Sequence, residues 1–325
     1  MLNFDRRTFL STATAAAVFG LSKPMAIIPS AQAQAAGASA MNPTAMKFKT
    51  FKIGDIDVTT VFEGAIERDH NAAMVKNASI DDVKAALAKL KLPNEKNPNA
   101  YTVTVIKSGG KTIMFDSGNG PGGAPGTNLL GENLKAAGID PAGINTIIVT
   151  HFHPDHIYGL MTKENTQLFG NAEIMVPEAE YKYWADPSVI EKLPEARKGI
   201  AIRVQASMPT WKNLKQIAAD TDVLPGVRSL PSYGHSPGHT SYLVASGKDQ
   251  MLVLGDVTNT PAINMQNPGW HVMFDQDAPM AEAIRRKLLD RAIADKIVCT
   301  GYHWGMPGAG TIAKDGNGYA LVPVA

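Results

Sequence analysis

Short runs of alternating or helically spaced apolar residues follow one another along the chain and predict its secondary structure. Alternation with a period of two is typical of a half-buried strand, and apolar residues three and four apart are typical of one helix face. In the longest predicted helix, Met280, Ile284 and Leu288 mark the apolar face. The elements predicted in this way are strands at 56–64, 144–150, 171–177 and 296–303, helices at 79–92, 127–137, 178–186 and 277–295, and hairpins at 101–118 and 240–256.

These elements alternate in two rough halves, each of which contains a hairpin. Strands and helices in this order favour sheets in the middle with helices outside, so the pattern predicts an α/β fold, a four-layer αββα sandwich. No clean linker interrupts the chain after residue 50, which indicates one domain over 51–325. Residues 36–50 are rich in alanine and small polar residues, and we interpret them as a linker or an N-terminal arm.

Residues 1–35 have the composition of an export signal. A basic start with Arg6 and Arg7 is followed by an alanine-rich apolar run and by small residues suited to cleavage after Ala33 or Ala35. The arginine pair resembles a bacterial twin-arginine signal. We therefore predict a periplasmic or secreted protein. We expect no stable membrane anchor after cleavage, because the apolar run is shorter than the roughly 20 residues that a span needs.

Composition excludes some functions. The 325 residues are 44% hydrophobic and 19% charged, which allows a sizeable core, and the formal net charge of +1 argues against a nucleic-acid-binding surface. The single cysteine, Cys299, rules out a disulfide within the chain. It lies in a strand-like run, where we expect a small buried apolar residue. The expected partner is a small-molecule substrate.

The strongest chemical signal is the stretch THFHPDHIYG, which begins at Thr150 directly after an apolar run. It places three histidines and an aspartate within six residues. Two more histidines and one more aspartate follow other strand-like runs. The candidate metal ligands are His151, His153, Asp155, His156, His235, Asp256 and His303.

Imidazole and carboxylate donors together suit zinc and other divalent first-row metals. In an extended segment His151 and His153 point to the same side. Asp155 and His156 fall where the strand gives way to a loop, and they can turn toward a second ion. Without a cation, so many polar groups at a buried strand end would destabilise the fold by on the order of several kcal/mol, through desolvation and repulsion. The cluster therefore predicts a metal centre.

Four motifs, THFHPDHIYG, GHSPGHTSY, LVLGD and GYHWG in this order, resemble the metallo-β-lactamase-fold hydrolase superfamily over about residues 50–325. The resemblance implies two divalent ions, with zinc as the expected metal, and a water or hydroxide between them. It implies Asp155 as the catalytic proton acceptor. The implied ligands are His151, His153 and His235 for one ion, Asp155, His156 and His303 for the other, and Asp256 as a bridge.

Further residues are predicted around this centre. Asp116 resembles the family's aspartate at the end of the strand before the first motif, where it accepts a hydrogen bond from a ligand imidazole. His239 is expected to be structural and close to the site. Aromatic side chains suit an apolar substrate cleft, and the predicted substrate contacts are Trp184, Phe274 and Trp304.

The branch of the family is indicated by Asp256, since the family's β-lactamases carry cysteine or serine at that place. The length, the signal and the C-terminal sequence resemble exported methyl parathion hydrolase-like proteins. The metal motifs also resemble N-acyl homoserine lactonases, although the best-known type has a tyrosine where Asn259 stands. Related hydrolases are often dimers, so a homodimer is expected.

The expected function is hydrolysis of an ester, lactone or phosphotriester bond by a metal-bridging hydroxide. Two alternatives are kept. One is an N-acyl homoserine lactonase that acts in quorum quenching, and the other is a non-catalytic metal-binding scaffold.

Overall fold

The computed structural model describes residues 46–325, whose strands form two seven-stranded sheets. The first sheet runs in chain order through β1 (Phe48–Ile53), β2 (Ile56–Arg68), β3 (Asn97–Ser108), β4 (Lys111–Phe115), β5 (Thr146–Ile148), β6 (Glu173–Pro177) and β7 (Leu214–Ile217). The second is built from β8 (Asp222–Leu224), β9 (Val227–Pro231), β10 (Thr240–Ser246), β11 (Asp249–Val253), β12 (Val298–Thr300), β13 (Ala309–Asp315) and β14 (Gly318–Pro323).

The boundary of the predicted N-terminal arm needs a correction. Strand β1 already begins at Phe48 and pairs with β2, so the last residues of the 36–50 segment belong to the first sheet. The predicted export signal at 1–35 lies outside the described residues and stays a prediction. Among residues 46–325, no helix combines the length and the apolar character needed to cross a membrane.

In the described part of the chain, seven α-helices accompany the sheets: α1 (Ile80–Lys89), α2 (Leu130–Ala136), α3 (Pro154–Ile157), α4 (Glu178–Ala185), α5 (Val189–Lys192), α6 (Glu195–Ser207) and α7 (Ala278–Ala294). Ser79 caps the N-terminus of α1, because its hydroxyl accepts from Asp82 N while the Asp82 carboxylate accepts from Ser79 N. The helix ends at Lys89, before Pro93. Shortly after it, Lys91 adopts a left-handed conformation with φ of 58°.

Three apolar clusters show how the layers pack. Consecutive residues on a strand point to opposite faces, so Ile147 packs outward with helices α2, α4 and α6, while Ile148 points inward toward the second sheet. On the far side, Leu252 and Leu254 pack against Leu288 and Leu289 of α7. The order is therefore helices, sheet, sheet, helix, and the predicted α/β fold with four αββα layers is confirmed.

Parallel pairing inside each sheet brings strand ends together. Strands β4, β5 and β6 are parallel, so the segments after Phe115 and Ile148 leave the first sheet at the same edge. Strands β11 and β12 are parallel in the second sheet, and the segments after Val253 and Thr300 leave it together. Because the carboxyl ends of parallel strands meet at one edge, residues far apart in sequence converge there.

The buried face of α7 differs from the prediction. Met280 is 45% exposed, and the fully buried residues include the charged Arg285, which is 1% exposed. Periodicity assigns a charged residue to the solvent side. Arg285 can nevertheless be buried, because the interior supplies hydrogen-bond acceptors for its guanidinium. The predicted burial of Cys299 is confirmed.

Candidate metal centre

The seven predicted ligands converge where the strand ends meet. His151 follows β5, and His153 is the extended residue directly before α3, which starts at Pro154. Asp256 follows β11 and His303 follows β12. The ligand atoms form two groups, each with all its atoms within 4.8 Å of one another. The first group is His151, His153, His235 and Asp256, and the second is Asp155, His156 and His303.

Asp256 faces both groups. Its Oδ2 lies 3.2 Å from His235 Nε2 and 3.1 Å from His303 Nε2, while its Oδ1 lies 3.3 Å from His156 Nε2. One carboxylate thus offers an oxygen to ligands of each group. This arrangement fits the bridging role that the family resemblance implies.

The donor set also fits divalent cations. His153 Nδ1 lies 2.9 Å from His151 Nε2 and 2.9 Å from His235 Nε2, so three imidazole nitrogens point at one place. Within residues 46–325, His156 Nε2 and Asp256 Oδ1 are buried, and although they lie 3.3 Å apart, neither has a hydrogen-bond partner of suitable geometry. Buried polar atoms without partners are costly in a folded protein, and a cation bound by both atoms would satisfy them.

The electrostatics of the centre point the same way. Burial holds the pKa of His151 and of His153 well below the ordinary value, which keeps these imidazoles neutral, as metal ligands must be. Burial also acts on His156, but the carboxylates of Asp256, Asp116 and Asp155 outweigh it and raise the pKa of His156 well above the ordinary value. The carboxylates thus favour a positive charge at this point.

Hydrogen bonds orient the ligand imidazoles from behind. His156 Nδ1 donates to Asp116 Oδ2 at 2.8 Å, as the sequence predicted for Asp116. His303 Nδ1 donates to the Ala100 carbonyl at 2.9 Å, and His235 Nδ1 donates to Asp275 Oδ1 at 2.9 Å. Each bond leaves the Nε2 atom of the ring free to bind metal.

His239 supports the centre without belonging to either ligand group. Its Nε2 accepts from the backbone N–H of Asp256 at 3.0 Å, and its Nδ1 contacts Ser232 Oγ at 2.8 Å. Burial lowers the pKa of His239 to about 3, so the ring is neutral and can accept that N–H. This agrees with the structural role that we expected for it.

Replacing Asp116 by asparagine is expected to lower metal affinity by about 10- to 100-fold, the usual effect of losing the partner of a ligand imidazole. The carboxylate also accepts from the Thr150 backbone N–H at 2.7 Å. Asparagine tolerates the φ of 62° at this position, so the backbone should be preserved. Competition with a chelator measures the affinity, and the exposed Asp249→Asn is the control. Equal affinities for the two variants would contradict the assignment.

Glu180 is a buried residue that the sequence did not identify. Its carboxylate accepts from Phe152 N at 3.0 Å, Trp184 Nε1 at 2.7 Å, Ser236 Oγ at 2.7 Å and Gly238 N at 2.8 Å. It therefore ties the segments that carry His153 and His235 to α4. A Cβ at Gly238 would lie 2.0 Å from Glu180 N, so only glycine permits this approach.

A cavity of about 340 Å³ opens onto both ligand groups. The candidate metal ligands that line it are His153, Asp155, His235, Asp256 and His303. The other lining residues are Arg68, Asn99, Tyr101, Asn119, Pro154, Trp184, Leu193, Arg197, Ile200, Asn259, Met273, Phe274 and Gln276. Its walls thus combine aromatic and aliphatic side chains with two arginines.

Two of the three predicted substrate contacts lie in this wall. Trp184 and Phe274 line the cavity, and Trp184 is held by its bond to Glu180. Trp304 is placed differently, which corrects the expectation for that residue. It is 1% exposed in the core between the second sheet and α7, and its indole N–H donates to Thr258 Oγ1 at 2.8 Å. His303 and Trp304 are consecutive residues of one turn, yet the indole of Trp304 packs into the core while His303 lines the cavity.

Glu63 supports one cavity wall and should make stability depend on pH. Its Oε2 accepts from Asn119 Nδ2 at 2.8 Å, and burial raises the pKa of Glu63 from 4.5 to about 7. A raised pKa means that the folded state holds the proton more tightly. Its stabilising effect is therefore complete below about pH 4.5 and is lost as the pH rises through about 7. The loss is on the order of 3 kcal/mol.

We expect Glu63→Gln to lack this dependence, because the amide is uncharged at every pH. The measurement is the free energy of unfolding at pH 5 and pH 8, for both proteins with the same chelator. Comparing the two proteins cancels the other titrating groups. If the free energy of unfolding changed with pH by the same amount in both proteins, the prediction would be contradicted.

Comparisons with known proteins bear on this site. The model of the family described as the metallo-beta-lactamase superfamily matches residues 97–301. An N-acyl homoserine lactonase of Bacillus cereus is 30% identical over 154 residues, which cover 47% of this chain and 54% of the relative. The N-acyl homoserine lactonase AttM of Azorhizobium caulinodans is 32% identical over 126 residues, 37% of this chain and 43% of the relative. The chain thus spans about half the length of these relatives.

Two solved structures share the fold. AidC, described as a dizinc quorum-quenching lactonase in complex with a product, superposes with a TM-score of 0.80 and 24% identity, over 86% of this chain and 97% of that one. AbOPH, described as a hydrolase in the beta lactamase superfamily, superposes with a TM-score of 0.79 and 22% identity, over 86% of this chain and 98% of that one.

Proposed function

The chain belongs to the metallo-β-lactamase superfamily, and on that premise we propose that it is a hydrolase of carboxylic esters or lactones that uses two divalent cations. The observation that carries the proposal is the convergence of seven donors into two adjoining groups beside one cavity. Zinc is the metal we propose, since the donors are imidazoles and carboxylates. The relatives' description as lactonases supports the choice of reaction.

One cation would be held by His151, His153 and His235. The other would be held by Asp155, His156 and His303, and Asp256 would contact both. When bound, such a pair supplies a water that is acidic enough to act as a nucleophile at neutral pH and polarises the substrate carbonyl. The protein's part is to bury the imidazoles and to fix their direction. The bonds that His156, His235 and His303 donate from Nδ1 to Asp116, Asp275 and the Ala100 carbonyl fix that direction.

Asp155 is placed to move protons. Its Oδ2 lies 3.5 Å from His156 Nε2 and 3.4 Å from His303 Nε2, and its side chain is 21% exposed toward the cavity. The hydroxyl of Tyr302 donates to the Asp155 carbonyl and fixes the backbone there. We propose that this carboxylate accepts the proton of the attacking water and returns it to the leaving oxygen.

The substrate must fit the walls that this chain provides. Leu193, Ile200, Met273 and Phe274 form an apolar side suited to an acyl group. Asn259 also lines the cavity, at the position where the best-known lactonases carry a tyrosine, so contacts to the reacting group differ from theirs.

The predicted export signal places this activity in the periplasm or outside the cell, which is part of the proposal.

An activity panel on protein of measured metal content tests the proposal. The substrates are N-hexanoyl homoserine lactone, a simple γ-lactone, a 4-nitrophenyl ester and a paraoxon-like phosphotriester. We expect two metal ions per chain, turnover of at least one ester or lactone, and loss of that turnover on chelation with recovery when metal is restored. Turnover of the phosphotriester alone would refute the proposed substrate class. Bound metal without any turnover would favour the non-catalytic scaffold.

A further inference from the structure

Two arginines line the cavity and are held by contacts to one short segment. Arg197 of α6 donates from Nη2 to the Met273 carbonyl at 2.7 Å, and the Arg68 guanidinium lies over the Phe274 ring, 5.6 Å from its centroid. Met273 and Phe274 are neighbours in sequence, so one short segment anchors both cations. Both arginines line the cavity that opens onto the metal ligands.

Neither arginine has an acidic partner in the structure. Within residues 46–325, the ion pairs that join a cation to a carboxylate at 4.0 Å or less include neither Arg68 nor Arg197. The carboxylates that line the cavity are those of Asp155 and Asp256, which face the metal ligands. Two positive charges therefore line the same cavity without a carboxylate partner.

Bound metal would increase this imbalance. The two aspartates offset only half of the charge of two dications, and the arginines add two further positive charges. A cavity whose lining carries a net positive charge attracts anionic ligands. Guanidinium groups also bind carboxylates and phosphates through strong charge-assisted hydrogen bonds.

We infer that Arg68 and Arg197 form an anion-binding subsite that selects esters or lactones carrying a carboxylate or phosphate at the end remote from the scissile bond. This inference rests on the proposed function and specifies its substrate class. The ester reaches the metal centre while the anionic end stays at the two arginines. The alternative is that Arg197 is purely structural and joins α6 to the Met273 segment. In that case its replacement would lower activity equally for all substrates.

Three 4-nitrophenyl esters with acyl chains of equal length test the subsite. One chain ends in a carboxylate, one in a phosphate and one in an uncharged primary amide. We expect kcat/KM for the better anionic ester to exceed that for the amide ester by about tenfold or more, as charged hydrogen bonds imply. The preference should shrink as salt concentration rises, because salt screens exposed charges. The faster of the two anionic esters identifies the group that the subsite prefers.

The variants are Arg68→Met, Arg197→Met and the double variant, with Arg203→Met as the control. Arg203 lies on the same helix as Arg197, stacks on Tyr158 and does not line the cavity. We expect each cavity variant to lower the anionic preference several-fold, the double variant to remove it, and the control to keep it. An unchanged preference in the double variant, or equal loss for charged and uncharged esters, would overturn the inference.

Failure of the proposed function gives a separate result. If no ester is hydrolysed, the same esters serve as stable ligands, and calorimetry measures their affinities. Tighter binding of the anionic esters that disappears in the double variant would support the subsite. Equal affinities for charged and uncharged esters in the wild-type protein would overturn it.

Discussion

Replacing Asp256 by alanine should lower kcat/KM by at least about 10³-fold and reduce the bound metal from two ions to one or none. Removing the mere partner of a ligand costs about 10- to 100-fold, and this residue contacts both ligand groups directly. Its oxygens lie within 3.3 Å of the Nε2 atoms of His156, His235 and His303. Without the carboxylate, two cations would face each other with only Asp155 to offset their charge.

Metal analysis of the purified variant, together with kinetics on the best substrate of the panel, measures both effects. Asp55→Ala is the matched control, because Asp55 is exposed in the turn between β1 and β2. Normal unfolding behaviour with metal removed would show that the variant folds. Full activity in Asp256→Ala would refute the two-cation centre. Full metal content without activity would show that Asp256 acts in the reaction and is not needed to bind metal.

The candidate ligands could be predicted from the sequence because their signal is local. His151, His153, Asp155 and His156 form one motif at the end of an apolar run, and strands that end in a polar residue mark Asp256 and His303. The layered fold follows from periodicity for a similar reason, since residues such as Ile147 and Ile148 lie on opposite sides of one sheet.

Unlike Asp116, the supporting residues Glu180 and Asp275 were missed because their partners are distant in sequence. Glu180 bonds to Phe152, 28 positions away, and Asp275 bonds to His235, 40 positions away. No spacing rule connects such pairs, and a charged residue on a helix is ordinarily assigned to the surface. Trp304 shows the converse error, since closeness in sequence to His303 did not bring its side chain to the cavity.

Arg285→Met should destabilise the fold and loosen the metal centre together. The guanidinium donates to the Val257 carbonyl at 2.8 Å, the Pro268 carbonyl at 2.7 Å and Asp275 Oδ2 at 3.0 Å. Asp275 in turn holds His235, and Val257 follows Asp256, so one buried cation positions two ligands. Removing one partner of a buried ion pair costs about 3–5 kcal/mol, because the remaining charge is left uncompensated.

Two measurements separate the roles of Arg285. Denaturant unfolding with chelator present gives the stability of the metal-free chain, and chelator competition gives the metal affinity of the folded protein, for which we expect a loss of about 10- to 100-fold. Arg285→Lys keeps the charge but not the three-way geometry, so its effects should be intermediate. The control is Arg286→Met, because Arg286 forms a partly exposed pair with Glu282 near the surface, and such pairs contribute about 1 kcal/mol or less. A large loss of stability with wild-type metal affinity would confine Arg285 to the core, and the link from α7 to His235 would then be wrong.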